Sequence, residues 1–197
     1  MFKKAAMFGL DARIALAIFG ALSVIGGAAL YSAIQQSKVV ATIAQIEEIT
    51  KAVEQYLLDT GSNIRRAEQL NASHPNKDYE LYAKDLKVNP SITGWKGPYI
   101  NLAEDSSLDS RLAYNNMLVI LIRANISQNW GQGSALSIKC TVATDCNIWI
   151  EVGTNSSSLA NAIDEYIDGV ANKTEGKVRV LSDDSVYVNT GLNYSNI

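Results

Sequence analysis

IALAIFGALSVIGGAALYSAI, Ile14 to Ile34, decides how this chain is read, because it holds no charged residue over 21 positions. About 20 apolar residues in a helix span the hydrocarbon core of a bilayer. Lys3 and Lys4 precede the run and Arg13 stands at its edge, so the positive-inside rule keeps the N-terminus cytoplasmic and exports the rest of the chain. Three fates are open to such a segment. It can be a signal peptide cut after a small residue such as Ala29, an uncleaved anchor, or a run retained behind a short leader.

The residues after Ile34 continue as an amphipathic helix. Val39, Ile43, Ile46, Val53 and Leu57 recur at three-, four- and seven-residue steps. Glu47 and Lys51 form an i,i+4 pair in the favourable order. No proline occurs before Pro75, and Gly61 offers a C-terminal stop. A helix from Leu10 to Asp59 is about 75 Å long at ~1.5 Å per residue. Its first half is apolar all round and needs a membrane or a bundle of its own kind. Its second half has one apolar stripe and needs a globular partner.

These residues resemble the N-terminus of the type IV pilin and type II secretion pseudopilin family, in its major-pseudopilin-like form. The family pattern is a short basic leader, a small residue at the cut, and an apolar helix broken by one acid at its fifth residue. Here MFKKAA, residues 1–6, stands as the leader and the cut falls between Ala6 and Met7. Asp11 is then the fifth residue, where glutamate is usual, and AIFGALSVI, Ala17 to Ile25, aligns with the family's AIIGILAAI. Ala6 replaces the usual glycine, and Arg13 is basic where the family is apolar. A cut after Gly9 restores the glycine but puts Ile14 at the fifth position and loses the acid.

The resemblance implies cleavage and N-methylation by a prepilin peptidase. It also implies a single-pass protein of the bacterial inner membrane, with its head in the periplasm or on an extracellular filament. The implied partners are copies of itself, other pilin-like subunits and an assembly platform. Asp11 would balance the new ammonium at Met7 of an adjacent subunit. The alternative is that Asp11 simply caps the helix N-terminus, where an acid is favoured. Arg13, two residues on, does not share its face and is placed to snorkel to the cytoplasmic interface. Gly26-Gly27, each costing about 1 kcal/mol in a helix interior, serves either close helix packing or unwinding on assembly.

The expected organisation is a leader (1–6), a long helix (7–60, with 14–34 transmembrane) and an exported α+β head (61–197). NIRRAEQL and YELYAKDL read as short helical pieces. GWKGPYI, Gly94 to Ile100, resembles a stretch that comes after the long helix in the major pseudopilin; alone it is an ordinary Gly-Pro turn. Met117–Arg123 is a buried-strand run. Ala135–Val142 and Asn147–Val152 alternate like two arms of a hairpin. Ser158–Asp168 reads as a helix ended by Gly169, and Lys177–Leu181 with Val186–Asn189 flank a turn at SDDS. Together these give a long helix against an antiparallel sheet.

Cys140 and Cys146 enclose five residues with no histidine near, too few ligands for zinc. A small disulfide loop in an oxidising compartment is the preferred reading over two buried thiols. Seventeen basic and 20 acidic residues give a net charge of −3, with no clustering that suggests a nucleic-acid surface. His74, the only histidine, reads as an exposed loop residue before Pro75. No serine–histidine–acid or phosphate-binding pattern is visible, and no enzymatic activity or cofactor is expected. Asp183 with Asp184, or Asp105 with Asp109, have the oxygen chemistry calcium takes, but neither spacing is diagnostic and solvated turns are preferred. Two functional classes remain: a structural subunit of a pilus-like filament or secretion pseudopilus, or a membrane-anchored adhesin or receptor head that forms no filament.

Overall fold

Nothing in the first 60 residues breaks a helix, and in the computed structural model the chain runs unbroken as α1 (Ala5–Thr60, 56 residues) straight through Gly26-Gly27. The structure describes residues 5–76, 79–106, 108–114, 117–126, 129–131, 140 and 146–194. Gly61 ends α1 as expected: its φ of +61° is left-handed and its N–H donates to the Leu57 carbonyl at 2.9 Å. Two compact units meet inside α1, the first ending at Ala41 and the second running from Thr42 to the C-terminus.

In the second unit the helix buries one seam of Thr42, Gln45, Ile46, Ile49, Ala52, Val53 and Tyr56. Ile46 and Val53 were expected on it, whereas Ile43 and Leu57 are only half-buried. Ile49 and Tyr56, both fully buried, carry as much of the contact. Each such apolar side chain contributes about 1.5–3 kcal/mol of burial. Glu47 and Lys51 lie exposed on the opposite side.

This half of α1 packs on an antiparallel sheet whose seven described strands are short except at the centre. They are β1 (Glu80–Leu81), β2 (Ala103–Glu104), β3 (Leu112–Tyr114), β4 (Met117–Asn125), β5 (Cys146–Gly153), β6 (Val178–Val180) and β7 (Ser185–Asn193). The order is β2-β3-β4-β5-β7-β6, and β1 pairs with β4 beyond β3. The expected α+β class is therefore the observed one. The segment YELYAKDL forms β1 and a 3₁₀ turn at Ala83–Leu86 rather than a helix, and NIRRAEQL supplies only α2 (Ala67–Leu70). Leu81 pairs with Leu121 of β4, and that long-range partner overrides the local helical preference.

The expected hairpin about the cysteines has one described arm, β5. The segment 135–142 lies outside the described residues except for Cys140. Both edges of β5 are taken, by β4 from Cys146 to Val152 and by β7 from Asn147 to Gly153. The β6–β7 hairpin forms as expected, with Val178 opposite Val188. Helix α3 (Ser157–Asp168) starts one residue earlier than expected. Its cap is Ser156, whose Oγ accepts from the Leu159 N–H, and Gly169 closes it at φ +79°.

Register sorts the sheet into two faces. One row runs Leu121, Ile150, Val188, Val178; the row behind it runs Ile120, Glu151, Tyr187, Arg179. On the second face Ile120, Ile122, Ala124, Trp130, Trp149, Leu181 and Tyr187 form a cluster. The Arg179 guanidinium lies over both Trp130 and Trp149, at 5.8 and 5.6 Å from the ring centres.

Candidate functional site: an exposed apolar helix and its head

Every residue from Asp11 to Ile34 is exposed. Leu16, Phe19 and Val24 leave 70%, 71% and 73% of their surface bare. A contiguous apolar surface on this scale marks a membrane or protein contact, and this helix is long and apolar enough to cross a membrane or to act as a signal sequence. Ala6 and Met7 lie on the first turns of α1. Asp11 is exposed and stands six residues inside a helix that begins at Ala5, so it does not cap α1 of the intact chain.

In the head, GWKGPY closes around the C-terminal end of α1. Gly94 has φ +88°, and a Cβ there would sit 2.3 Å from the Asp59 carbonyl oxygen, so glycine serves both the backbone turn and the close approach. Trp95 Nε1 donates to the Asp85 carbonyl at 2.9 Å. The Lys96 ammonium reaches Asp59 Oδ1 at 3.0 Å and holds that carboxyl below its ordinary range. The Tyr99 ring stands edge-on to Tyr56 and to Trp95, at 5.9 and 5.6 Å. The motif is thus more than a turn: it docks the head to the helix end.

Behind it lie two buried ion pairs. Asp85, 1% exposed at its side chain, takes both Arg65 nitrogens, Nε at 2.9 Å and Nη2 at 2.6 Å. Glu80, fully buried, accepts from Arg111 Nε at 3.0 Å, Arg111 Nη2 at 2.9 Å, Asn76 Nδ2 at 3.1 Å and the Ser110 hydroxyl. His74 is corrected from exposed to buried, with Nε2 at 3.1 Å from Ser110 Oγ. Histidine, serine and glutamate therefore do meet, although no such grouping was visible from positions 74, 80 and 110.

Their wiring is unsuited to nucleophilic attack. A triad passes the serine proton to histidine and holds the other ring nitrogen with an acid. Here the Ser110 hydroxyl donates a hydrogen bond to Glu80 and not to His74, and His74 Nδ1 accepts the Asn76 N–H at 3.2 Å. All three side chains are buried. The arrangement satisfies a buried carboxylate, and local sequence holds no signal for it because its partners lie 30 to 36 positions apart.

A cleft of about 580 Å³ opens beside the second sheet face, lined among others by Tyr79, Arg111, Glu151, Asn155, Asp183 and Tyr187. Burial pushes the Glu151 carboxyl up to about 7, against a hydrogen bond from Tyr187 and the Arg111 charge, which favour ionisation. Burial and Glu151 together raise Tyr187 far above the usual phenol range. The Asp183 carboxylate accepts the Ser185 N–H at 3.0 Å in the β6–β7 turn, and Asp184 sits at φ +63°. Asp105 and Asp109 lie between β2 and β3. Among the described residues no three acidic, histidine or cysteine side chains gather as metal ligands. Cys140 and Cys146 are joined, with Cα atoms 5.9 Å apart, in agreement with the disulfide reading.

Comparison with protein-family models, curated proteins and solved structures finds no match. The class of protein is therefore given by architecture alone. A long apolar N-terminal helix whose second half packs on an antiparallel sheet is a pilin-like arrangement.

Proposed function

We propose that this chain is a structural subunit of a type IV pilus-like filament or a type II secretion pseudopilus. The observation that carries the reading is the division of α1, uniformly exposed and apolar from Ile14 to Ile34 but buried along one seam from Thr42 to Tyr56. A helix built this way holds its head at one end and offers the other to a bilayer or to copies of itself. Membrane insertion and filament packing are two solvents for the same surface.

In this reading a prepilin peptidase cuts between Ala6 and Met7, and Ile14–Ile34 holds the subunit in the bacterial inner membrane until assembly on a platform with other pilin-like subunits. The new Met7 ammonium then sits at the edge of the hydrocarbon. A charge carried to the bilayer centre costs about 2.5–3.5 kcal/mol on insertion scales. Asp11 of a neighbouring copy neutralises it and fixes the axial register. The Cys140–Cys146 bridge agrees with a head folded in an oxidising compartment.

The N-terminal mass of the mature protein tests the cut: methylated Met7 is expected, Leu10 would move the register, and a start near residue 30 would end the proposal. Asp11→Ala is expected to insert normally and to lose assembly. Unchanged oligomers in that variant would remove Asp11 from the mechanism. The cleft beside Glu151 favours a second reading, a membrane-anchored receptor or adhesin head, in which filaments are absent and the intact Met1 chain persists.

A further inference from the structure

We propose that copies of this chain interlock through Asp11 of one helix and Arg13 of the next, before and independently of leader removal. The inference rests on the reading that the apolar helix is kept and meets copies of itself. Asp11 and Arg13 are both exposed, and neither side chain bonds to a described residue of its own chain.

The helix itself prevents the two charges from pairing internally. At 3.6 residues per turn they point about 200° apart, with only ~3 Å between them along the axis. Each copy therefore presents an acid on one side and a guanidinium on nearly the opposite side, at almost the same height. Between parallel helices whose axes lie about 8–10 Å apart, Asp11 of one copy and Arg13 of the next meet at a small axial offset. Antiparallel neighbours would carry the two charges to opposite ends of the apolar span. Membrane topology excludes that arrangement, because every copy enters with the same basic flank.

The contact is heterologous. One copy's acid takes the next copy's base, leaving a free acid at one end of the row and a free base at the other, so it propagates instead of closing into a dimer. A second copy of this chain is thus the occupant that the charge pattern specifies. The guanidinium beside the apolar run is the complement of the acid two positions before it. Pairing of Asp11 with the Met7 amine needs cleavage, whereas this contact needs none, and one carboxylate has oxygens enough for both.

The test uses the full chain in membranes, with Leu16→Cys as a cross-linking reporter and two epitope tags. Copies carrying Asp11→Asn keep only the base, and copies carrying Arg13→Gln keep only the acid. Mixing the two kinds restores one complete pair, while mixing differently tagged copies of one kind restores none. The unlike mixture is expected to give about threefold more cross-linked product than either like mixture, the scale of an exposed ion pair. Equal yields in all three mixtures overturn the Asp11–Arg13 contact while leaving self-association standing. If Leu16→Cys copies with both native charges fail to cross-link, the contact and the filament reading fall together.

Discussion

Glu151 sits between Ile120 of β4 and Tyr187 of β7, in the middle of a sheet rather than at its rim. Its carboxyl is raised from 4.5 to about 7, chiefly by burial. The sign of the consequence comes from proton counting. Between the two values the folded chain holds a proton that the unfolded chain has released, so stability falls as pH rises through that window. The slope is at most about 1.4 kcal/mol per pH unit, and above 7 the loss is complete and constant. Glu151→Gln is expected to flatten this part of the profile and to unfold at higher urea than the parent at pH 8, with little difference at pH 4. Urea titrations across that range check it, and parallel profiles for the two chains would show that Glu151 is solvated. Glu80, by contrast, is buried with four donor hydrogen bonds around it.

At the scale of elements, the joint between α1 and the head depends on Gly94. Two glycines near this joint are both left-handed, but only one is crowded: a Cβ at Gly61 meets nothing within 4 Å, whereas one at Gly94 strikes the Asp59 carbonyl. Gly61→Ala therefore incurs only the left-handed penalty of about 1–2 kcal/mol. Gly94→Ala must also push the end of α1 away from Trp95 and Tyr99, and overpacking of this kind costs a further ~1–3 kcal/mol. Thermal melts of the two variants are expected to rank Gly94→Ala well below Gly61→Ala. Equal melting temperatures would mean that GWKGPY does not anchor the helix.

At the scale of the molecule, the two halves of α1 have different physics. The exposed run from Asp11 to Ile34 buries nothing within the chain, while the buried residues of α1 begin at Val39. A chain beginning at Gln36 is expected to fold with an unchanged urea midpoint and to remain monomeric in aqueous buffer. The full chain is expected to require detergent or to self-associate. Circular dichroism, denaturation and sedimentation of the two forms check this. A markedly lower midpoint in the shorter chain would show that the apolar half also supports the head.

Much of this was legible in the chain itself, for a physical reason: helices and turns are written in near neighbours. The uncharged run, the seam beyond it, the stop at Gly61, the β6–β7 turn and the end of α3 all rest on contacts a few residues apart. Ile46 and Val53 fell on the expected stripe because 3.6-residue periodicity is a local property. Strand pairing is not. Tertiary structure alone decided that β5 lies between β4 and β7, that YELYAKDL gives up helix to set Leu81 against Leu121, and that His74 turns inward to Ser110 and Glu80. Those outcomes depend on residues 21 to 46 positions apart competing for one sheet edge or one buried site, and a single sequence does not record which competitor wins.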